Sequence, residues 1–153
     1  MKAVIQRVSS AKVMSDGVLT GEIGQGLMIL LGVVEEDTQA HARIMAEKIS
    51  NLRIFRDEND KMNLSLLDIN GQALVVSNFT LCADTSHGRR PNFIAAKRPE
   101  EANALYEYFM SCLKEQGVCK VDAGVFGAHM DVTIENDGPV TIILNTDDWK
   151  MKK

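Results

Sequence analysis

Apolar and polar positions along the chain fall into short blocks with two different periods, and the period assigns each block to strand or helix. Residues 3–8 and 11–14 are short β-favouring runs. Asp16-Gly17 then supplies the two-residue turn that joins antiparallel strands, with residues 18–23 as the return, so the protein is expected to open as a hairpin. Gly24 and Gly26 punctuate the next reversal. Residues 27–34 are apolar without alternation, which predicts a central strand covered on both faces. Thr38 is placed to cap a helix through Asn51, whose Ala42, Met45, Ile49 and Leu52 recur at helical spacing on one side.

The middle of the chain returns to strand. Residues 52–55 and 73–77 are the candidates, separated by the polar turn Asp57-Glu58-Asn59-Asp60 and the turn signal Asn70-Gly71. Periodicity then disappears from residue 83 to 98, a loop too long to be a mere connector and therefore a candidate carrier of function. Pro99, Glu100 and Glu101 open a second helix with an apolar face of Ala104, Leu105, Tyr108, Phe109, Cys112 and Leu113, and Gly117 ends it. Residues 119–123, 130–135 and 140–145 are further strands, with Asn136-Asp137-Gly138-Pro139 expected to reverse the chain between the last two. The sum is a single α+β domain over residues 1–153, a mostly antiparallel, barrel-like β-sheet system with two main helices.

Composition narrows the class. The 153 residues are 45% apolar, 25% charged and 5% aromatic, which fits a globular chain large enough to hold its fold with an ordinary core. Seventeen Lys and Arg against 21 Asp and Glu give a net charge of −4, which argues against a protein that coats long nucleic acid. The three cysteines show no C-x-x-C pair, so neither a disulfide framework nor a thiolate zinc site is suggested, and a reducing cytoplasm fits best. No run approaches the ~20 apolar residues of a membrane-spanning helix, and no membrane partner is expected.

Several catalytic kits are missing: G-x-S-x-G, H-E-x-x-H, the phosphate-binding G-x-x-x-x-G-K-[ST] and G-x-G-x-x-G. His41, His87 and His129 are too scattered for a local ligand pair, so no metal and no cofactor are assigned. Three segments stand out. Ser77-Asn78-Phe79-Thr80-Leu81 follows an apolar strand and places hydroxyls, an amide and main-chain N–H groups where that strand ends. They either serve a cleft or bond their own backbone. Asn136-Asp137-Gly138-Pro139-Val140-Thr141 is either an ordinary hairpin turn or, if the X-Pro peptide is cis, a device that aims neighbouring carbonyl oxygens at an ammonium group. Arg89, Arg90, Lys97 and Arg98 flank Phe93 with no acid among them, which suits a nucleic-acid end or a solvated loop.

Taken in order, Ala3-Val4-Ile5-Gln6-Arg7-Val8, Asn51-Leu52-Arg53-Ile54-Phe55, Lys61-Met62-Asn63-Leu64-Ser65, the Ser77 segment, Gly88-Arg89-Arg90-Pro91 and the Asn136 segment resemble the D-aminoacyl-tRNA deacylases along essentially the whole chain. The resemblance implies a homodimer with active sites at its interface. The implied partner is the aminoacyl-tRNA 3′ end, from which the enzyme hydrolyses the ester of a D-amino acid or glycine. Ser77, Asn78, Phe79 and Thr80 are implied as the catalytic segment. This family's motif ordinarily reads S-Q-F-T-L, so Asn78 shortens the usual amide by one methylene. Gly138-Pro139, joined by a cis peptide, is implied as the chirality filter reaching into the partner's pocket, with Arg7 bracing it and Met130 beside it. Arg89, Arg90, Lys97 and Arg98 are implied as tRNA contacts.

The implied chemistry is physically coherent without a strong nucleophile. An aminoacyl ester beside a free ribose hydroxyl is already activated, so a positioned water with N–H donors for the oxyanion suffices, and Thr80 is expected to position rather than attack. Exclusion of L side chains by backbone also admits glycine, which has no side chain to reject. Two other readings predict different behaviour: a non-catalytic RNA-end-binding module, and an amidohydrolase using Thr80 as nucleophile.

Overall fold

The computed structural model describes residues 1–150, and the last three residues of the expected domain, 151–153, lie outside the described ones. Eight strands and two helices follow in the order β1 (Lys2–Ser15), β2 (Val18–Ile23), β3 (Gly26–Gly32), α1 (Gln39–Asn51), β4 (Phe55–Arg56), β5 (Met62–Leu64), β6 (Gln72–Ser77), α2 (Pro99–Gln116), β7 (Val121–Ala123) and β8 (Met130–Asn145). The opening hairpin turns at Asp16-Gly17, with Ser15 opposite Val18 and both turn residues at positive φ, 48° and 81°.

The main sheet runs β2-β1-β3-β6-β7, with β8 on the other edge of β1. β1 pairs antiparallel with β2, β3 and β8, whereas β3-β6 and β6-β7 are parallel. Mostly antiparallel pairing is therefore present, but the sheet is mixed, because α1 and α2 each serve as the long crossover a parallel pair requires. The far edges curl together: the Glu22 amide donates to the Asp122 carboxylate at 2.9 Å, giving a nearly closed, barrel-like form. Inside the curl sit Val8, Val13, Ile23, Met28, Leu74 and Val76. The helices cover the other face, where Ile5, Leu27, Ile29, Met45, Ile49, Phe109 and Leu113 form the larger core. One cluster joins both helices to the sheet, so this is a single α+β domain.

Both helices end where the sequence places their signals. The Thr38 amide donates to His41 Nδ1 at 3.0 Å to start α1, and Gly117 closes α2 at φ 108° with its N–H on the Leu113 and Lys114 carbonyls. The expected strand over residues 52–55 shrinks to Phe55–Arg56, paired with Met62–Leu64.

Two expectations are corrected. Residues 3–8 and 11–14 are not two strands but one, β1, which passes through the Ser9-Ser10 pair with register shifts as its neighbour changes from β3 to β2. Asn136-Asp137-Gly138-Pro139 does not reverse the chain. β8 runs along β1 from Lys2↔Asn145 to Ser15↔Met130 as a single strand, and the segment is an outward excursion from it. Val8 faces Asn136 and Gln6 faces Thr141, so two steps along β1 are matched by five along β8. Turn chemistry is local, and here the long-range ladder resumes on both sides of it.

Candidate active site

Ser77 ends β6, and the Asn78 amide adds one more bond, to Leu31 O at 2.9 Å, before the backbone leaves the sheet. A single 3₁₀ turn, Phe79–Cys82, follows at once. Asn78 starts it: its side-chain oxygen accepts from the Thr80 amide at 3.2 Å and also from the Thr80 hydroxyl. Gly32 lets the turn settle onto β3, since a Cβ there would lie 2.9 Å from Leu81 Cβ and 3.2 Å from Asn78 O. The Phe79 amide, first in the turn, has no acceptor among the described residues.

The long loop is pinned rather than loose. Asp84 and Asn92 exchange backbone bonds of 2.8 and 2.9 Å, and Glu35 and Lys97 donate to Ala95 O and Val33 O at 2.9 and 3.0 Å. Hydrogen bonds from Ser86 hold the Asp84 carboxyl below the usual carboxylate range. The loop thus brings Phe93 edge-on to Phe79, with ring centroids 5.1 Å apart at 71°.

Between these elements lies a cavity of about 600 Å³, within the ordinary range of small-ligand sites. Ser77, Asn78 and Phe79 form one wall, Phe93, Lys97 and Arg98 another, and Phe126, Gly127, Ala128 and Met130 close it. A wider groove of about 730 Å³ beside Lys48 and Trp149 contains none of the predicted site residues. Among those residues, Ser77, Asn78, Phe79, Met130, Lys97 and Arg98 meet at the cavity. Thr80 does not line it; it is exposed at its rim and bonded to Asn78.

Lys97 is already committed, its ammonium 2.8 Å from Glu35 O and 3.5 Å from a Glu101 carboxylate oxygen. Arg89 and Arg90 are exposed at the loop tip and form no ion pair among the described residues. Phe126 escaped the sequence reading. Its only signal is an isolated aromatic between Gly124 and Gly127.

Arg7, Gly138 and Pro139 form a second cluster away from that cavity. The Arg7 side chain is 3% exposed, its Nη1 donating to Ile54 O at 2.8 Å and its Nε to Asp137 O at 3.2 Å, with the Asp137 carboxylate also at 3.2 Å. The Asn136 amide closes the neck of the excursion by donating to Arg7 O at 2.9 Å and Val140 O at 3.0 Å. The Gly138–Pro139 peptide is cis, Gly138 sits at φ 134°, and both residues are exposed.

A family model described as D-Tyr-tRNA(Tyr) deacylase matches residues 4–145. The chain belongs to that family. Relatives within it include a D-aminoacyl-tRNA deacylase of Clostridium botulinum (strain Eklund 17B / Type B), 53% identical over 95% of this chain and 97% of its own. Another, from Clostridioides difficile (strain 630), is 56% identical with the same coverage. A solved structure titled c-Myc DNA Unwinding Element Binding Protein superposes with a TM-score of 0.89 at 42% identity, covering 95% of this chain and 98% of that one. A probable eukaryotic D-amino acid tRNA deacylase shares the fold at a TM-score of 0.80 and 17% identity, covering 94% and 97%. As a member of the D-Tyr-tRNA(Tyr) deacylase family the protein is a hydrolase of the D-aminoacyl-tRNA deacylase type. No helix among the described residues is long and apolar enough to cross a membrane.

Proposed function

We propose that the protein hydrolyses the ester between a D-amino acid, or glycine, and the 3′-terminal adenosine of tRNA, sparing the L-aminoacyl ester, and that it does so in the cytoplasm as a homodimer. The observation that carries this reading is the separation of the two clusters. The Gly138-Pro139 excursion is exposed and held outward by Arg7 and Asn136, yet it lines no part of the cavity in its own chain. A rigid projection with no target on its own protomer suits insertion into a second copy. β8 supports the same assembly: it is a 16-residue edge strand whose outer edge has no partner strand among the described residues, and its Ile143 is 78% exposed.

In this reading the Phe79 and Phe93 rings receive the terminal adenine, which places the ester near Ser77 and Asn78. Water attacks the ester carbonyl carbon, and the free Phe79 amide is the available main-chain donor for the oxygen that becomes negative. The 3′-oxygen of the ribose leaves with the proton. Main-chain carbonyls of the partner's excursion hold the α-ammonium, leaving room for a side chain on one side of the α-carbon only. Each step uses binding and orientation, and none requires a side-chain base.

The test is chirality-resolved deacylation. Release of D-tyrosine and glycine from their tRNAs, with L-tyrosyl-tRNA left intact, is expected; equal hydrolysis of both enantiomers would refute the filter. The tRNA contacts make a separate prediction. Replacing the free cations, as Arg89→Ala with Arg90→Ala, should raise KM for charged tRNA several-fold. It should also reduce the salt dependence of binding by about one unit of slope for each phosphate no longer neutralised. Lys97→Ala should instead act mainly on stability, because its ammonium is spent inside the fold. An unchanged salt slope in the double variant would remove Arg89 and Arg90 from the interface.

A further inference from the structure

We infer that the Asn78 side-chain amide donates to the carbonyl oxygen of the scissile ester, and that Thr80 acts through Asn78 as the residue that aims it; this rests on the deacylase reading above. A backbone N–H can only donate, so the atom the Thr80 amide meets at 3.2 Å is Asn78 Oδ1 and not the amide nitrogen. The Thr80 hydroxyl reaches the same oxygen, which can only accept, so the hydroxyl proton is given to Asn78. Two donors from one residue thereby fix the plane of the carboxamide.

Two consequences follow for the chemistry. A neutral amide oxygen takes no proton away, so Thr80 lacks the base that a nucleophilic hydroxyl needs. Asn78 Nδ2 is left with two N–H groups and no acceptor among the described residues, on a side chain that lines the cavity. It is not among the buried unpaired atoms, so it is open to solvent or ligand. A fixed, unpartnered donor selects an oxygen acceptor, and the acceptor on the substrate whose charge grows during the reaction is the ester carbonyl. The balance is simple: water adds to the carbonyl carbon, the C=O electron pair moves onto the oxygen facing Nδ2, and collapse expels the ribose 3′-oxygen, which takes up a proton. Asn78 transfers none.

The experiment compares wild type with Asn78→Asp, Asn78→Ser, Thr80→Val and Thr80→Ser on D-tyrosyl-tRNA under single-turnover and steady-state conditions. Asn78→Asp keeps an acceptor for both Thr80 donors and removes the N–H groups; Asn78→Ser keeps an N-cap and also lacks them, which covers the case in which the acidic variant misfolds. Both should lose about 100-fold in kcat with KM little changed, the signature of a contact made in the transition state. Thr80→Val should lose about 10-fold, Thr80→Ser should recover most of that loss, and Thr80→Val should add almost nothing on top of Asn78→Asp. Wild-type kcat in both Asn78 variants, a loss confined to KM, or additive effects in the double variant would overturn the inference while leaving the deacylase reading intact. A wild-type protein without D-specific turnover would remove both.

Discussion

Gly138→Ala is expected to lower kcat/KM for D-aminoacyl-tRNA by about 100-fold or more, because the excursion that carries it has no room for a methyl group. Gly138 sits at φ 134°, a conformation that side-chain-bearing L residues rarely adopt. A Cβ there would lie 2.8 Å from Val140 Cγ2, 3.0 Å from the Val140 nitrogen and 3.1 Å from Arg7 Nη2. The first contact can yield by rotating a valine. The other two cannot yield independently, since one is backbone and the other belongs to a buried guanidinium already bonded to Ile54 O and Asp137 O. The strain costs about 1–3 kcal/mol locally and is relieved only by moving the carbonyls that are proposed to grip the ammonium. Steady-state kinetics on D- and L-tyrosyl-tRNA, with a thermal melt beside them, measure both effects. Unchanged kcat/KM in a folded variant would dissociate this excursion from selectivity.

The second large effect falls on folding. Gly26→Ala should destabilise the protein by about 4 kcal/mol or more, enough to prevent accumulation of native protein. Gly26 is the first residue of β3, opposite Gln72 of β6 in the parallel pair, and a Cβ would fall inside the Gln72 carbonyl oxygen and 2.7 Å from the same residue's carbon and nitrogen. All three are backbone atoms in the ladder, so relief requires the two strands to part. β3 joins β1 to β6 at the centre of the sheet, and no other strand pair substitutes for that join. Soluble yield and the urea midpoint read the result; a midpoint equal to wild type would mean that β3 and β6 are not packed as described.

Local signals carried much of the fold. α2 was legible from Pro99 at one end and Gly117 at the other, since both residues act through their own backbone restrictions and need no tertiary partner. The hairpin at Asp16-Gly17 was legible for the same reason. β8 was not, because Asn136-Asp137-Gly138-Pro139 contains every ingredient of a reversal, and only the distant pairing of Thr141 with Gln6 decides that the chain continues forward. β1 failed similarly at Ser9-Ser10, where a polar pair marks a change of neighbour rather than a strand end.

At the cavity, Ser77, Asn78 and Phe79 were findable because they form one contiguous motif. Val33, Ala102 and Phe126 arrive from three separate elements and are chemically ordinary, so no pattern in the sequence groups them. The commitment of Lys97 to Glu35 O is likewise invisible from a run of basic residues, which records charge and not what each charge already touches.

The three surplus residues in β8 leave the pairing on either side undisturbed, and that insulation has an evolutionary meaning. Drift in the length or chemistry of the protruding segment need not propagate into the barrel, so selectivity and scaffold are open to separate histories of change. Descendants could retune which substrates are refused while inheriting the same framework intact.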